Sequence, residues 1–380
     1  MKVEFKVEDY DFEKELNAIK ESIAKPNILV CGATGVGKSS LINDIFGEAV
    51  AKVGEGEPIT RGIAKYSHDM MTVNLYDSEG YEIGEEKQSY FKANVLGCID
   101  KYKANYPNQF NKHIHEVWYC VSAANKRFTD TDIEVVKDIL RREVPIAIVI
   151  TQIDCVDEQE LNSMMLVINK EFPNLSHFNY CVTNDIDIKE AVESFVEKDK
   201  LIKWADKELP DVLREGLISA LKGNLVMKRK MIQNKIIPLY VASAAATAIS
   251  PIPFSDATIL VPIQITMSLH IMNVYGMDKI KGTVSSVISS QIISQVGRLL
   301  AKSVAGNLAK LIPGIGTGVG IVVNATVAST ITTVLGQTIS LMSYNYSKAI
   351  LAGKEVDVLE FFGSETFQEI FMSVLKRKGK

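Results

Sequence analysis

The run Gly32-Ala33-Thr34-Gly35-Val36-Gly37-Lys38-Ser39 constrains this chain more than any other feature. It fits the pattern G-x-x-x-x-G-K-[ST]. An apolar run, residues 27–31 (NILVC), precedes it and reads as a buried strand; a helical stretch from Lys38 to Phe46 follows. Glycines there let backbone N–H groups turn inward onto phosphate oxygens. The helix that follows aims the positive end of its dipole at the same anion. Lys38 supplies a point charge for β and γ phosphates, the Ser39 hydroxyl suits a Mg²⁺ shell, and Ser40 continues the cradle into the helix. The strand–turn–helix setting separates this run from an ordinary glycine turn in an α/β sheet. The motif alone does not choose between guanine and adenine.

Further strands are expected at 71–77, 115–121, 145–151 and 177–183, with helical patterns near 129–142, 157–171 and 187–198. Such alternation, opened by the phosphate loop, predicts an α/β P-loop fold with a mostly parallel sheet covered on both faces. Residues 11–24 read as a lead-in helix with Phe12, Leu16, Ile19 and Ile23 on one face. The character changes after about residue 205: residues 236–255 and 311–347 carry no charged side chain and show no strand alternation. The expected organisation is a lead-in helix over 1–24, a G domain over 25–205 and an all-α C-terminal domain over 206–380.

Charge divides the chain in the same way. Residues 1–223 carry 27 Lys/Arg against 39 Asp/Glu, a net of −12; residues 224–380 carry 15 against 7, a net of +8. A basic, apolar rear suits an anionic membrane surface, RNA, or simply a solvated helical edge. The five cysteines, Cys31, Cys98, Cys120, Cys155 and Cys181, have no metal-pair spacing and read as reduced core thiols of a cytosolic protein.

Three further elements select a guanine nucleotide. Thr60, in a polar loop between the first helix and the next strand, has the place of a switch threonine that binds Mg²⁺ and senses the γ-phosphate. Asp77-Ser78-Glu79-Gly80 ends an apolar strand, so that Asp77 can hold the Mg²⁺ shell and the Gly80 N–H can meet the γ-phosphate; D-x-x-G is also a common turn. Thr151-Gln152-Ile153-Asp154 ends another strand, and the Asp154 carboxylate can accept from guanine N1–H and the 2-amino group, a donor pair adenine lacks. The alternative for Asp154 is a cap on the next helix. Val182 and Thr183, at the tip of the last strand, stand where a backbone N–H reaches the guanine oxygen.

Together these motifs resemble the Era-like GTPases of the translation-factor-related class over roughly residues 25–200, including the PIT of GEGEPIT and the stretch WYCVSAANKRFTDTD. The segments SPIPFSDATILVPIQITMSLHIMNVYG and KLIPGIGTGVGIVVNATVASTITTVLG resemble an uncharacterised helical domain that follows such G domains in bacteria and is suspected of membrane association. The resemblance implies GTP/GDP and Mg²⁺ as ligands, with Lys38, Thr60 and Gly80 at the reacting phosphate. It implies a slow GTPase switch governing the rear domain, with stimulation by an activating protein or self-association, and a cytoplasmic setting with peripheral or integral contact at the inner membrane. An RNA- or ribosome-assembly factor and a non-catalytic guanine-nucleotide scaffold are the alternatives. The chain departs from the family pattern at several places. Glu79 stands where Pro is usual, and Tyr81 replaces the water-orienting glutamine. Gly35 replaces the potassium-linked asparagine, and Thr151-Gln152 replaces Asn-Lys. Arg61 is a weak arginine-finger candidate.

Two readings fit the rear: a helical bundle, or helices in or on a bilayer, with Lys228, Arg229 and Lys230 facing headgroups. The glycines at Gly314, Gly316, Gly318 and Gly320 follow a proline and no strand, and suit close helix packing. His113 and His115 lack a cysteine partner at zinc spacing and read as residues opening a strand.

Overall fold

The computed structural model of the protein describes residues 10–47, 57–60, 62–66, 71–80, 85–247, 256–277 and 320–378. Arg61, Tyr81, Pro251, Pro253, Pro313, Gly314, Gly316 and Gly318 lie outside them. The chain forms two compact units: Ile23–Lys222, and a second made of Met1–Ser22 together with Gly223–Lys380.

The front unit contains β1 (Asn27–Gly32), β2 (Glu57–Thr60), β3 (Ile63–Tyr66), β4 (Asn74–Ser78), β5 (Glu116–Ser122), β6 (Ile146–Thr151) and β7 (His177–Asn179). Among the described residues they form one sheet in the order β2-β3-β4-β1-β5-β6-β7. Strands β4, β1, β5, β6 and β7 pair in parallel, while β2–β3 and β3–β4 are antiparallel. Every residue of β1, β5 and β6 is buried, which is why these strands read as unbroken apolar runs.

Helix α1 (Phe12–Ser22) belongs to the second unit; the front unit holds α2 (Lys38–Phe46), α3 (Glu85–Asn105), α4 (Asp130–Leu140), α5 (Glu158–Glu171), α6 (Ile186–Val192), α7 (Lys198–Glu208) and α8 (Asp211–Ala220). On one face of the sheet, Leu29, Tyr119 and Ile148 pack with Val95, Ile99, Val135, Ile139 and Ile168 from the helices. Elsewhere Trp118 of β5 stacks on Phe46 of α2, with ring centroids 5.9 Å apart. The position taken from sequence as the end of the G domain, residue 205, falls within α7, where Leu201, Ile202 and Ala205 are buried. The two units part at Lys222 and Gly223.

The described residues of the second unit, beyond α1, form α9 (Leu225–Met231), a wide π-type turn (Ile232–Ile236), α10 (Ile237–Thr247), α11 (Asp256–Val274), α12 (Gly320–Leu351), α13 (Val358–Phe361) and α14 (Ser364–Lys378). The wide turn ends two residues before Pro238, which has no N–H to donate and would crowd the carbonyl of an ordinary turn. Helix α12 packs on α10, α11 and α14, and α1 packs on α11. Small residues permit close approach at one crossing: a Cβ on Gly336 would sit 2.8 Å from Ile237 Cγ1. Tyr10 and Thr266 hydroxyls meet at 3.2 Å, and Thr266 Oγ1 donates to Glu15 at 2.7 Å.

No helix among the described residues is long and apolar enough to cross a membrane. The bundle interior instead carries polar side chains, such as Gln264 donating to Thr332 Oγ1 at 3.2 Å. The expected headgroup triad does not face outward as a set. Lys228 is buried and its Nζ donates to Val274 O at 2.7 Å, closing the C-terminal end of α11. The Arg229 guanidinium lies over the Tyr344 ring at 5.5 Å. Lys230 alone of the three is exposed.

Candidate nucleotide site

The phosphate loop connects β1 to α2 at the carboxyl ends of the parallel strands, where open α/β sheets hold their ligands. Gly32 pairs in register with Cys120 of β5, and a Cβ there would lie 2.1 Å from the Cys120 carbonyl oxygen, so only glycine fits. Gly37 is the N-cap of α2. The Lys38 side chain is buried, and its Nζ donates to Gly32 O at 3.1 Å and Ala33 O at 2.9 Å. The ammonium is therefore held against the loop's own backbone. Ala33 is partly exposed, and Thr34, Gly35, Ser39 and Ser40 are exposed along the loop and the first turn of α2, while Val36 is buried beneath it.

Asp77 lies on β4, in register with Val30 of β1 just before the loop. Burial pushes its carboxyl up to about 6, against the pull of the Lys38 charge. Its Oδ1 is buried with no hydrogen-bond partner among the described residues. An orphaned carboxylate oxygen beside a phosphate loop suits a Mg²⁺ shell, and the exposed Ser39 hydroxyl at the head of α2 is of the right chemistry to be a second ligand. Gly80 closes this corner: a Cβ on it would stand 2.2 Å from the Thr34 backbone nitrogen. The D-x-x-G segment thus lies directly on the phosphate loop.

Thr60 stands elsewhere. It is the last residue of edge strand β2 and not part of a loop; it pairs with Ile63, which pairs in turn with Ser78 of β4. Two strand spacings, about 10 Å, separate its backbone from the Asp77 strand. Sequence spacing gave the right stretch of chain but could not show that residues 57–60 extend the sheet.

The opposite side of the loop meets the end of β6. Thr151 Oγ1 is hydrogen-bonded to Val36 O at 2.5 Å and to Val121 O at 3.0 Å, tying the loop to two strand ends. Gln152 adopts a left-handed backbone with φ of 55°, accepts from the Ser122 hydroxyl and donates its amide to Gly35 O at 3.3 Å. Asp154 follows in a single 3₁₀ turn, half-buried, and burial together with its carboxylate pushes the Cys181 thiol up to about 11. The cap on α5 is Asp157, which accepts from the Glu160 N–H at 2.8 Å, so Asp154 is not engaged as a helix cap. Val182 is exposed, and Thr183 Oγ1 accepts from the Asp185 N–H at 3.2 Å in the loop after β7. That loop begins early because β7 ends at Asn179, and the Tyr180 hydroxyl then turns to bond Asp44 of α2.

Sequence reasoning missed Ser122, whose hydroxyl props Gln152; nothing in its spacing signals that role. His113 and His115 are structural: His115 Nδ1 accepts the Asn27 N–H at 2.8 Å, and burial pulls its imidazole down to about 4.

Comparison with known proteins agrees with this geometry. Residues 27–152 match the family described as 50S ribosome-binding GTPase. The chain is 26% identical over 200 residues to the mitochondrial tRNA modification GTPase mss1 of Schizosaccharomyces pombe, covering 50% of this chain and 40% of that protein. It is 26% identical over 216 residues to GTPase Der of Macrococcus caseolyticus, covering 53% of this chain and 45% of that protein. It is 26% identical over 153 residues to the GTP-binding protein EngB of Mycoplasmopsis synoviae, covering 40% of this chain and 77% of that protein. The chain therefore spans less than half the length of the first two relatives. With its sheet order, its phosphate loop and this family match, the front unit is a G domain of the P-loop GTPase fold.

Proposed function

We propose that the protein binds GTP with Mg²⁺, hydrolyses it slowly to GDP and phosphate, and uses the exchange as a switch for its helical second unit. The observation that carries this reading is the convergence on one loop of a buried lysine, an orphaned Asp77 oxygen and the Thr151–Asp154 segment. Held by Ser39 and Asp77, Mg²⁺ would neutralise charge on the phosphates. Lys38 turns from the Gly32 and Ala33 carbonyls to phosphate oxygens, Asp154 reads the base, and the Val182–Thr183 backbone lies beside the base oxygen. Thr60 joins the site only if β2 leaves its pairing, which makes that edge strand the moving part of the switch. The aromatic Tyr81 offers no amide to orient water, so turnover is slow until a partner or a second copy assists. Measuring GTP and ATP affinity of the full chain, with and without Mg²⁺, tests the reading; equal affinity for the two nucleotides would refute it.

Two further outcomes are expected. Mg²⁺ needs Asp77 ionised, and its carboxyl is raised to about 6. Mg²⁺-dependent nucleotide binding should be flat above that pH and weaken by about tenfold for each pH unit below it. A pH titration of GTP affinity at limiting Mg²⁺ checks this; a midpoint at the ordinary carboxylate range would contradict it. Gly80→Ala should slow single-turnover hydrolysis by about tenfold or more, corresponding to at least ~1.4 kcal/mol of lost transition-state positioning, and leave GDP affinity nearly unchanged. Its methyl would displace the segment from Thr34. Equal losses in GDP binding and hydrolysis would show that the substitution damages the loop itself.

A further inference from the structure

Helix α2 carries the phosphate loop at its head and a second anchor lower down. Gly37, Ser40 and Asp44 follow one another at spacings of three and four residues, so all three share one face of the helix. Seven residues on from the N-cap, Asp44 lies about 10 Å along the axis from it. Its Oδ2 accepts from two residues. The Tyr180 hydroxyl donates to it, and the Lys198 ammonium donates to it at 2.6 Å and to the Asp44 carbonyl at 3.2 Å. Tyr180 is buried, and its N–H donates to Ile150 O at 2.7 Å as β7 gives way to the loop. Burial and the Asp44 carboxylate hold the Tyr180 hydroxyl well above its ordinary range, so it stays a donor. Lys198 opens α7, and its neighbour Glu197 is fixed to β7 twice. The Glu197 N–H donates to Asn179 O at 2.8 Å, and Glu197 Oε2 accepts from the Asn179 N–H at 3.1 Å. Lys198 thus holds the Asp44 carboxylate in the orientation that Tyr180 uses.

We propose that Asp44 is a positioning residue for the base: through the Tyr180 hydroxyl it fixes the Cys181–Thr183 loop at a set distance from the phosphate loop, so that one helix holds both ends of the nucleotide. This rests on the reading that the Val182–Thr183 backbone lies beside the base. The loop beyond Tyr180 is outside the sheet: Val182 is exposed, and Thr183 Oγ1 bonds locally to the Asp185 N–H. Its place relative to the phosphates is therefore set through Tyr180. A ligand that joins a base to a triphosphate binds more tightly when its two subsites already stand at the right separation, because the ordering is done on folding and not on binding. Inorganic tripolyphosphate occupies the phosphate loop alone and is indifferent to that separation.

The test measures affinities of the full chain for GTP, GDP and inorganic tripolyphosphate, together with single-turnover hydrolysis at saturating GTP. Tyr180→Phe keeps the ring and removes only the hydroxyl. It should weaken GTP and GDP by about tenfold each, while tripolyphosphate affinity and the saturated hydrolysis rate stay as they are. Asp44→Ala should do the same, and the two substitutions together should lose no more than either alone, since both break one link. Unchanged GTP and GDP affinity in Tyr180→Phe would overturn the proposal. So would an equal weakening of tripolyphosphate, which would make Tyr180 a support of the whole site, and so would losses that add in the double variant. Unchanged nucleotide preference in Asp154→Asn would overturn the base assignment instead, so the two failures are told apart.

Discussion

Asp154→Asn is expected to turn nucleotide preference from GTP toward XTP. A carboxylate accepts two hydrogen bonds, from N1–H and from the 2-amino group of guanine; an asparagine amide accepts one and offers a donor to the other. Against guanine that donor meets another donor. Against xanthine, which carries an oxygen in place of the 2-amino group, it finds an acceptor. Hydrogen bonds to a charged group are worth about 1.5–3 kcal/mol each, so GTP affinity should fall by roughly 10²–10³-fold while XTP affinity rises. Competition of GTP and XTP against a fluorescent guanine nucleotide measures both. The substitution is well placed for a clean result: Asp154 is half-buried in a single turn and Asp157 caps α5, so the helix keeps its start. A GTP affinity indistinguishable from that of the unaltered chain would remove Asp154 from the pocket.

Lys38→Ala should reduce single-turnover GTP hydrolysis by about 10²–10³-fold, the usual cost of removing one preorganised charge donor from a developing anion. The ammonium is held within the loop on Gly32 O and Ala33 O, so only the side chain has to turn to bring it to the phosphates. A second readout distinguishes this from general damage. Lys38 is the group that pulls the Asp77 carboxyl down. Without it, the pH midpoint for Mg²⁺-dependent binding should move above about 6. Loss of hydrolysis with an unmoved midpoint would mean that Lys38 does not stand beside Asp77 in solution.

Much of the front unit was legible in the sequence because burial on both faces leaves a plain signature. β1, β5 and β6 are entirely buried and read as apolar runs, and β1 and β6 each end at a motif. The helix Glu85–Asn105 also carries a readable stripe, Phe91, Val95, Cys98, Ile99 and Tyr102, although the sequence reading assigns no helix there. The hairpin of β2 and β3 was not legible. Strands this short, four residues each, hold their place through ladder hydrogen bonds more than through pattern. Within the site, the phosphate loop and the Asp77 strand were readable as motifs. The bridge from Ser122 through Gln152 to Gly35 depends on a left-handed residue at the end of a strand, which no spacing announces. The loss of Thr60 to a strand and the exposure of Cys155 both reflect tertiary placement overriding local expectation. Lys228 is the same lesson in the second unit: a lysine in a basic run reads as solvated, yet its buried ammonium closes a helix.

The second unit is built from both sides of the first: α1 comes before residue 23, and its partner helix α11 begins at Asp256. The bonds joining them span 251 and 256 residues. On a ribosome adding about 5–20 residues each second, α1 emerges tens of seconds before the surface it packs on exists. The entire G domain can be finished in that interval. The apolar side of α1 therefore passes through biosynthesis uncovered, so the newborn chain is at its most aggregation-prone while its G domain is already complete.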